Sequence, residues 1–219
     1  SGDPMANDYV GAISRWLGSG GMPCGTVNRT LETDPGNFIS VGQQVFDNEQ
    51  VLVAMKAEAS LDEDTRTVET TTSLWFAESD GDADYRLAYA ILEDGVHQPD
   101  DPYYSQRNFY SGGASGAMGG YESQPDPVPA SRMWYNDVAR GYVDDIRGVA
   151  GSVPAEINAD EEIRYGNSFT LPDGIFDDSN TSVVVMLVDQ ADGRIVNAVQ
   201  VPLGKGGQTG ISDAAVRQD

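Results

Sequence analysis

The spacing of apolar residues changes once along this chain, near Gln50, from a helical rhythm to a pleated one. Before that point, Tyr9, Ile13, Trp16 and Leu17 fall at i, i+4, i+7 and i+8. Asp8 can cap the free N–H groups ahead of them and Gly18 offers a stop, so the pattern predicts a short amphipathic helix. Residues 26–31 read as a strand and Asp34-Pro35-Gly36 as a turn. Phe38, Val41, Val45 and Phe46 then form the apolar face of a second helix, which Asn37 can cap.

After Gln50 the period is two. Val51, Val53, Met55 and Ala57 alternate with Leu52, Ala54, Lys56 and Glu58, and residues 65–78 are rich in Thr and Val. Residues 85–93 (YRLAYAILE) give a third strand and residues 164–171 another. Residues 182–189 and 194–203 give two more, joined through the hairpin signal Asp192-Gly193. Strands this short and this numerous must bury one apolar face each against a second layer. The expected fold is mainly β: an immunoglobulin-like antiparallel β-sandwich over residues 49–204, preceded by a small α/β unit in residues 1–48. A loop rich in Gly, Pro, Tyr and Ser spans residues 98–132, a length that marks functional loops. Trp134, Val138 and Tyr142, at i, i+4 and i+8, suggest a short helix over 134–146, and the Gly-rich residues 205–219 read as a flexible tail.

Composition narrows the partners. The chain has 219 residues, a hydrophobic content of 39% and a formal charge of −22. It can build a core, and its charge opposes binding to nucleic acid or to anionic lipid surfaces. No apolar run reaches the roughly 20 residues of a membrane-spanning helix. Lys56 and Lys205 are its two lysines, and Asp outnumbers Glu about two to one. A surface of this kind stays soluble in strong salt, so a halophilic source is expected. The single cysteine, Cys24, excludes an internal disulfide framework and reads as a buried strand thiol.

Candidate chemistry is sparse. Asp80, Asp82 and Asp84 alternate as at the start of a calcium loop, but Tyr85 and Ile91 stand where an EF-hand needs Gly and Glu. They are a weak calcium candidate at most, as are Asp173, Asp177 and Asp178, and no cofactor is otherwise expected. His97, the sole histidine, has no nucleophile or second ligand at a recognisable spacing, so no catalytic residue is assigned. Between residues 103 and 121 the chain mixes aromatics with Gly and Ser, a composition suited to adaptable contact with proteins or sugars. Tyr103, Tyr104, Phe109, Tyr110 and Tyr121 are the candidate partner-binding residues, with free sheet edges as a second surface.

The stretches MPCGTVNR (22–29), LAYAILEDGVHQ (87–98), YNDVAR (135–140) and IVNAVQVPL (195–203) carry a resemblance over nearly the whole chain. They resemble the twenty-eight-kilodalton outer-membrane protein family of Gram-negative bacteria, in which a thioredoxin-like domain precedes a β-sandwich. On this resemblance residues 1–48 are the C-terminal half of the thioredoxin-like domain, and Pro23 is a cis-proline candidate leading the strand that faces the redox motif. The chain is then expected to be a piece of a longer one, because the other half and any Cys-x-x-Cys pair are not in it. The resemblance implies a non-catalytic protein at the extracellular face of the outer membrane, or secreted, acting as a structural or interaction module with a protein partner in a surface assembly. A thiol-redox protein completed by sequence outside this chain is one alternative, and a glycan-binding module is another.

Overall fold

The computed structural model describes residues 4–17, 25–48, 50–114, 116–204 and 208–212. Within them the pleated region forms two antiparallel sheets of four strands. The first comprises β3 (Val53–Asp62), β4 (Thr67–Phe76), β7 (Glu162–Thr170) and β10 (Gln208–Ser212), in the order β10-β3-β4-β7. The second comprises β5 (Tyr85–Glu93), β6 (Val138–Val143), β8 (Thr181–Asp189) and β9 (Ile195–Pro202), in the order β6-β5-β8-β9. The expected sandwich is therefore present.

Alternation decides what each strand buries. Val53, Met55, Ala57 and Ala59 of β3 face Leu87, Tyr89 and Ile91 of β5 and Val183, Val185 and Leu187 of β8 in one continuous core. β4 adds Val68, Leu74 and Phe76, and β9 adds Val199 and Val201. The second sheet is apolar on its outer face as well: Ala88, Ala90, Met186 and Val188 form a separate buried cluster with Tyr142, Val184, Ile195 and Ala198.

The N-terminal unit lies against that outer face. It consists of α1 (Asp8–Leu17), a hairpin of β1 (Gly25–Val27) and β2 (Leu31–Thr33), and α2 (Phe38–Asn48). The chain reverses between β1 and β2 through left-handed backbone at Asn28 (φ 51°) and Arg29 (φ 61°). Tyr9 of α1 meets Tyr142 with ring centroids 5.6 Å apart. Arg29, 7% exposed, donates to the Ile146 carbonyl at 2.6 Å and reaches Met186 Sδ at 3.8 Å. Trp16 receives the guanidinium carbons of Arg29 and Arg147 at 5.5 and 5.0 Å from its ring, and its indole abuts Gly193. α2 has no buried residue, and Ile39 and Phe46 on it are 90% and 67% exposed.

Three expectations need correction. Residues 134–146 are not helical: Tyr135 bridges Val96 and β6 occupies Val138–Val143. A spacing of four is a multiple of the pleat as well as close to a helical turn, so those positions fit either period. Within the expected tail, β10 pairs with β3, Ile211 opposite Lys56. The predicted strand at 26–31 is a hairpin instead. Gly18, Met22, Pro23 and Cys24 lie outside the described residues.

Candidate interaction site

Strand directions gather three connections at one end of the sandwich. The β3–β4 turn (62–66), the long β5–β6 connection (94–137) and the β7–β8 connection (171–180) meet there, because Asp62 pairs with Thr67, Thr67 with Thr170, and Glu93 with both Thr181 and Val138.

Glu93 ties the β7–β8 connection to β6. It shares the inward parity of Leu87, Tyr89 and Ile91 and is 1% exposed. Its Oε1 accepts the backbone N–H groups of Phe176 and Asp177, each at 2.8 Å, and its Oε2 accepts from Arg140 Nε at 2.6 Å. Arg140 is the extra residue of a bulge: Ile91 pairs with Gly141 and Leu92 with Ala139, so the strand re-aims it inward. The guanidinium then lies 5.1 Å from the Phe176 ring centre. On the other sheet, Arg66 donates through Nε and Nη2 to the two carboxylate oxygens of Asp178, both at 2.8 Å, and its carbonyl accepts from Leu171 N. Thus the 171–180 loop is tied to both layers. Sequence reasoning passed over Glu93, although a glutamate continuing the core-facing parity of β5 was a visible signal.

The long connection is ordered from within. Gln106 and Val128 pair in an isolated bridge, and inside it Asn108, 4% exposed, donates through Nδ2 to the carbonyls of Tyr121, Gln124 and Pro125. Asp126 accepts Asn108 N and pairs with Arg107 at 2.9 Å, and the amide bond from Asn108 holds its carboxyl below the usual range. Glu122 accepts Met118 N and Gly120 N and is likewise lowered, first through Met118. Asp101 accepts Tyr103 N at the start of the turn Pro102–Tyr104. This network presents Tyr103, Phe109, Tyr110 and Tyr121 outward, at 68, 80, 38 and 41% exposure.

Tyr104 does not join them. At 5% exposure it packs with Val96 and Ala130, and its carbonyl accepts from Tyr135 Oη at 2.7 Å, so it supports the loop from beneath. Two exposed aromatics belong to the surface instead. Trp134 (62%) lies parallel on the His97 imidazole with centroids 4.0 Å apart, because the Val96 to Tyr135 bridge sets 97 opposite 134, and Phe176 (52%) lies edge-on to Tyr104. His97 Nδ1 is 2.7 Å from the Met133 carbonyl.

Asp80 pairs its backbone with Ile157 and its Oδ1 accepts from Asp82 N. Among the described residues no three His, Cys, Asp or Glu side chains converge on a common point, and no helix is long and apolar enough to cross a membrane. Asp177 accepts from the Ser179 hydroxyl and backbone, which lower its carboxyl. Two clefts, one beside Trp16, Arg147 and Asp192 and one beside Phe76, Tyr85 and Arg194, lie at the opposite end.

The chain thus folds as a β-sandwich that gathers loops and exposed rings at one end, with a small α/β unit on its flank. A family model for outer membrane protein Omp28 matches residues 11–206, and the chain belongs to that family. Among solved structures it is similar to a domain of the outer membrane lipoprotein Omp28 from Porphyromonas gingivalis, with 16% identity, 70% of this chain and 89% of that one covered, and a TM-score of 0.37. It is also similar to HBP35 of Porphyromonas gingivalis at 18% identity and a TM-score of 0.54, covering 96% of this chain but 60% of that one. The latter likeness concerns the fold alone. No curated protein matches the sequence.

Proposed function

We propose that this protein is a non-catalytic interaction module associated with the extracellular face of the outer membrane, docking a protein partner in a surface assembly through the loop end of its sandwich. One observation supports this reading above others. Of ten exposed large apolar side chains among the described residues, seven fall in segments 94–137 and 171–180, and the other three are on α2. Apolar side chains concentrated in one region of a surface mark contact sites, and loops on a rigid scaffold commonly carry them. Family membership supports the envelope address.

A photo-crosslinking residue at Phe109 or Trp134 in the producing bacterium should give discrete adducts, while one at exposed Ala155 on the opposite end should not. Equal labelling from both ends would sink the reading. The exposed Trp134 indole favours a second reading, a glycan platform, which predicts sugar-dependent quenching of its fluorescence. For the N-terminal unit, the helix, hairpin, helix order and the bare Ile39 and Phe46 on α2 support a likeness to the C-terminal half of a thioredoxin-like domain.

A further inference from the structure

The charge of the loop end narrows what docks there. Segments 62–66, 94–137 and 171–180 make up about a quarter of the chain and carry twelve carboxylates against three arginines, a net of −9 out of −22. Each of those arginines is already engaged: Arg66 with Asp178, Arg107 with Asp126, and Arg132 with Gln124 Oε1 at 3.0 Å. Glu63 and Asp100 are exposed with no ion pair among the described residues, and Asp173 is fully exposed, 3.9 Å from Arg66.

The same surface shows the rings of Tyr103, Phe109, Tyr110, Tyr121, Trp134 and Phe176. The face of an aromatic ring is electron-rich and attracts Arg and Lys. An anionic partner would be repelled by the carboxylates, and a neutral apolar one would use the rings while displacing water from charges it cannot satisfy. A cationic one uses both sets of groups. Arg140 shows the arrangement in miniature, with its guanidinium held between a carboxylate and the Phe176 ring. Resting on the interaction reading above, we infer that the loop end binds a polypeptide segment rich in arginine or lysine, its side chains set over the exposed rings and between the free carboxylates.

Fluorescence anisotropy on the whole chain tests this with a short labelled Arg/Gly/Ser peptide, its Gln/Gly/Ser twin, and maltoheptaose as a neutral competitor. The arginine peptide should bind about tenfold or more tightly than its twin, weakening as salt is raised. Neutralising Glu63→Gln, Asp100→Asn and Asp173→Asn together should cost about fivefold or more, whereas Asp82→Asn, Asp84→Asn and Glu156→Gln at the opposite end should cost less than about twofold for the same change in net charge. Tyr103→Ser with Phe109→Ser should cost about fivefold with no change in charge. A cooperative thermal transition in each variant establishes that it is folded.

Equal losses from the two acidic triples would reduce the effect to diffuse charge and overturn the inference, as would binding indifferent to the two rings. If the glutamine twin or maltoheptaose binds as well as the arginine peptide and loses its affinity with Tyr103→Ser and Phe109→Ser, the cationic assignment falls while the loop end remains a contact surface. Failure of crosslinking at Phe109 and Trp134 instead removes that surface itself.

Discussion

Glu93 closes β5 on the parity of Leu87, Tyr89 and Ile91, so the strand that builds the core also drives a carboxylate into it. Desolvating a carboxylate is costly unless its oxygens are filled, and here two amides and a guanidinium fill them. Glu93→Gln keeps the shape but leaves Arg140 buried without its counter-charge, which should remove about 3–5 kcal/mol in urea unfolding. Adding Arg140→Met should return part of that loss; a Glu93→Gln loss below about 1 kcal/mol would show the pair to be structurally idle. Tyr89 makes a different prediction. Burial pushes its phenol up to about 12, eased by the neighbouring Thr72 and Thr70 hydroxyls. An unfolded tyrosine ionises near 10, so between about pH 10 and 12 the unfolded chain sheds a proton that the native chain keeps. Stability should therefore fall as pH rises through that window, by about 3 kcal/mol once both values are passed. Tyr89→Phe should flatten this part of the profile, and an unchanged alkaline slope would count against the burial argument. Residue parity was readable from sequence in both cases, but the partners of Glu93 were not, because Arg140 comes inward only through a bulge.

At the scale of elements, legibility followed the strength of the local pattern. YRLAYAILE was read to the residue as β5, and the hairpin through Asp192-Gly193 was found, because alternation and turn chemistry agree there. Residues 134–146 failed for the opposite reason, since apolar residues four apart satisfy two periods at once and only the pairing with β5 decides between them. β10 was invisible because Gln208–Ser212 is five residues long and sits among glycines. Gly193 tests how α1 is held. A β-carbon there would be built into the Trp16 indole, and its φ of 79° disfavours any side chain. Gly193→Ala should weaken docking of α1 by about 1–3 kcal/mol, seen as faster amide exchange in α1 and a shifted Trp16 emission while β5 and β8 stay protected. Unaltered exchange in α1 would mean that Trp16 is not the anchor.

For the whole molecule, the sandwich and the family resemblance were legible, whereas the makeup of the loop end was only half so. The aromatic loop stood out by composition, but Trp134, Phe176 and the acids of 62–66 and 171–180 join it only through strand directions that sequence does not display. A charge of −22 on 219 residues should make stability depend on salt. Between low salt and about 1 M the screening length falls from roughly 30 Å to 3 Å, so self-repulsion fades and the thermal midpoint should climb by several degrees. A flat or falling midpoint would place the balance of charges elsewhere. The clothed outer side of the second sheet carries a practical lesson for anyone isolating the sandwich. A gene trimmed to begin at Gln50 would strip Tyr9 from Tyr142 and Arg29 from Met186 on the apolar outer cluster, and the bared oily flank would drive the product to clump.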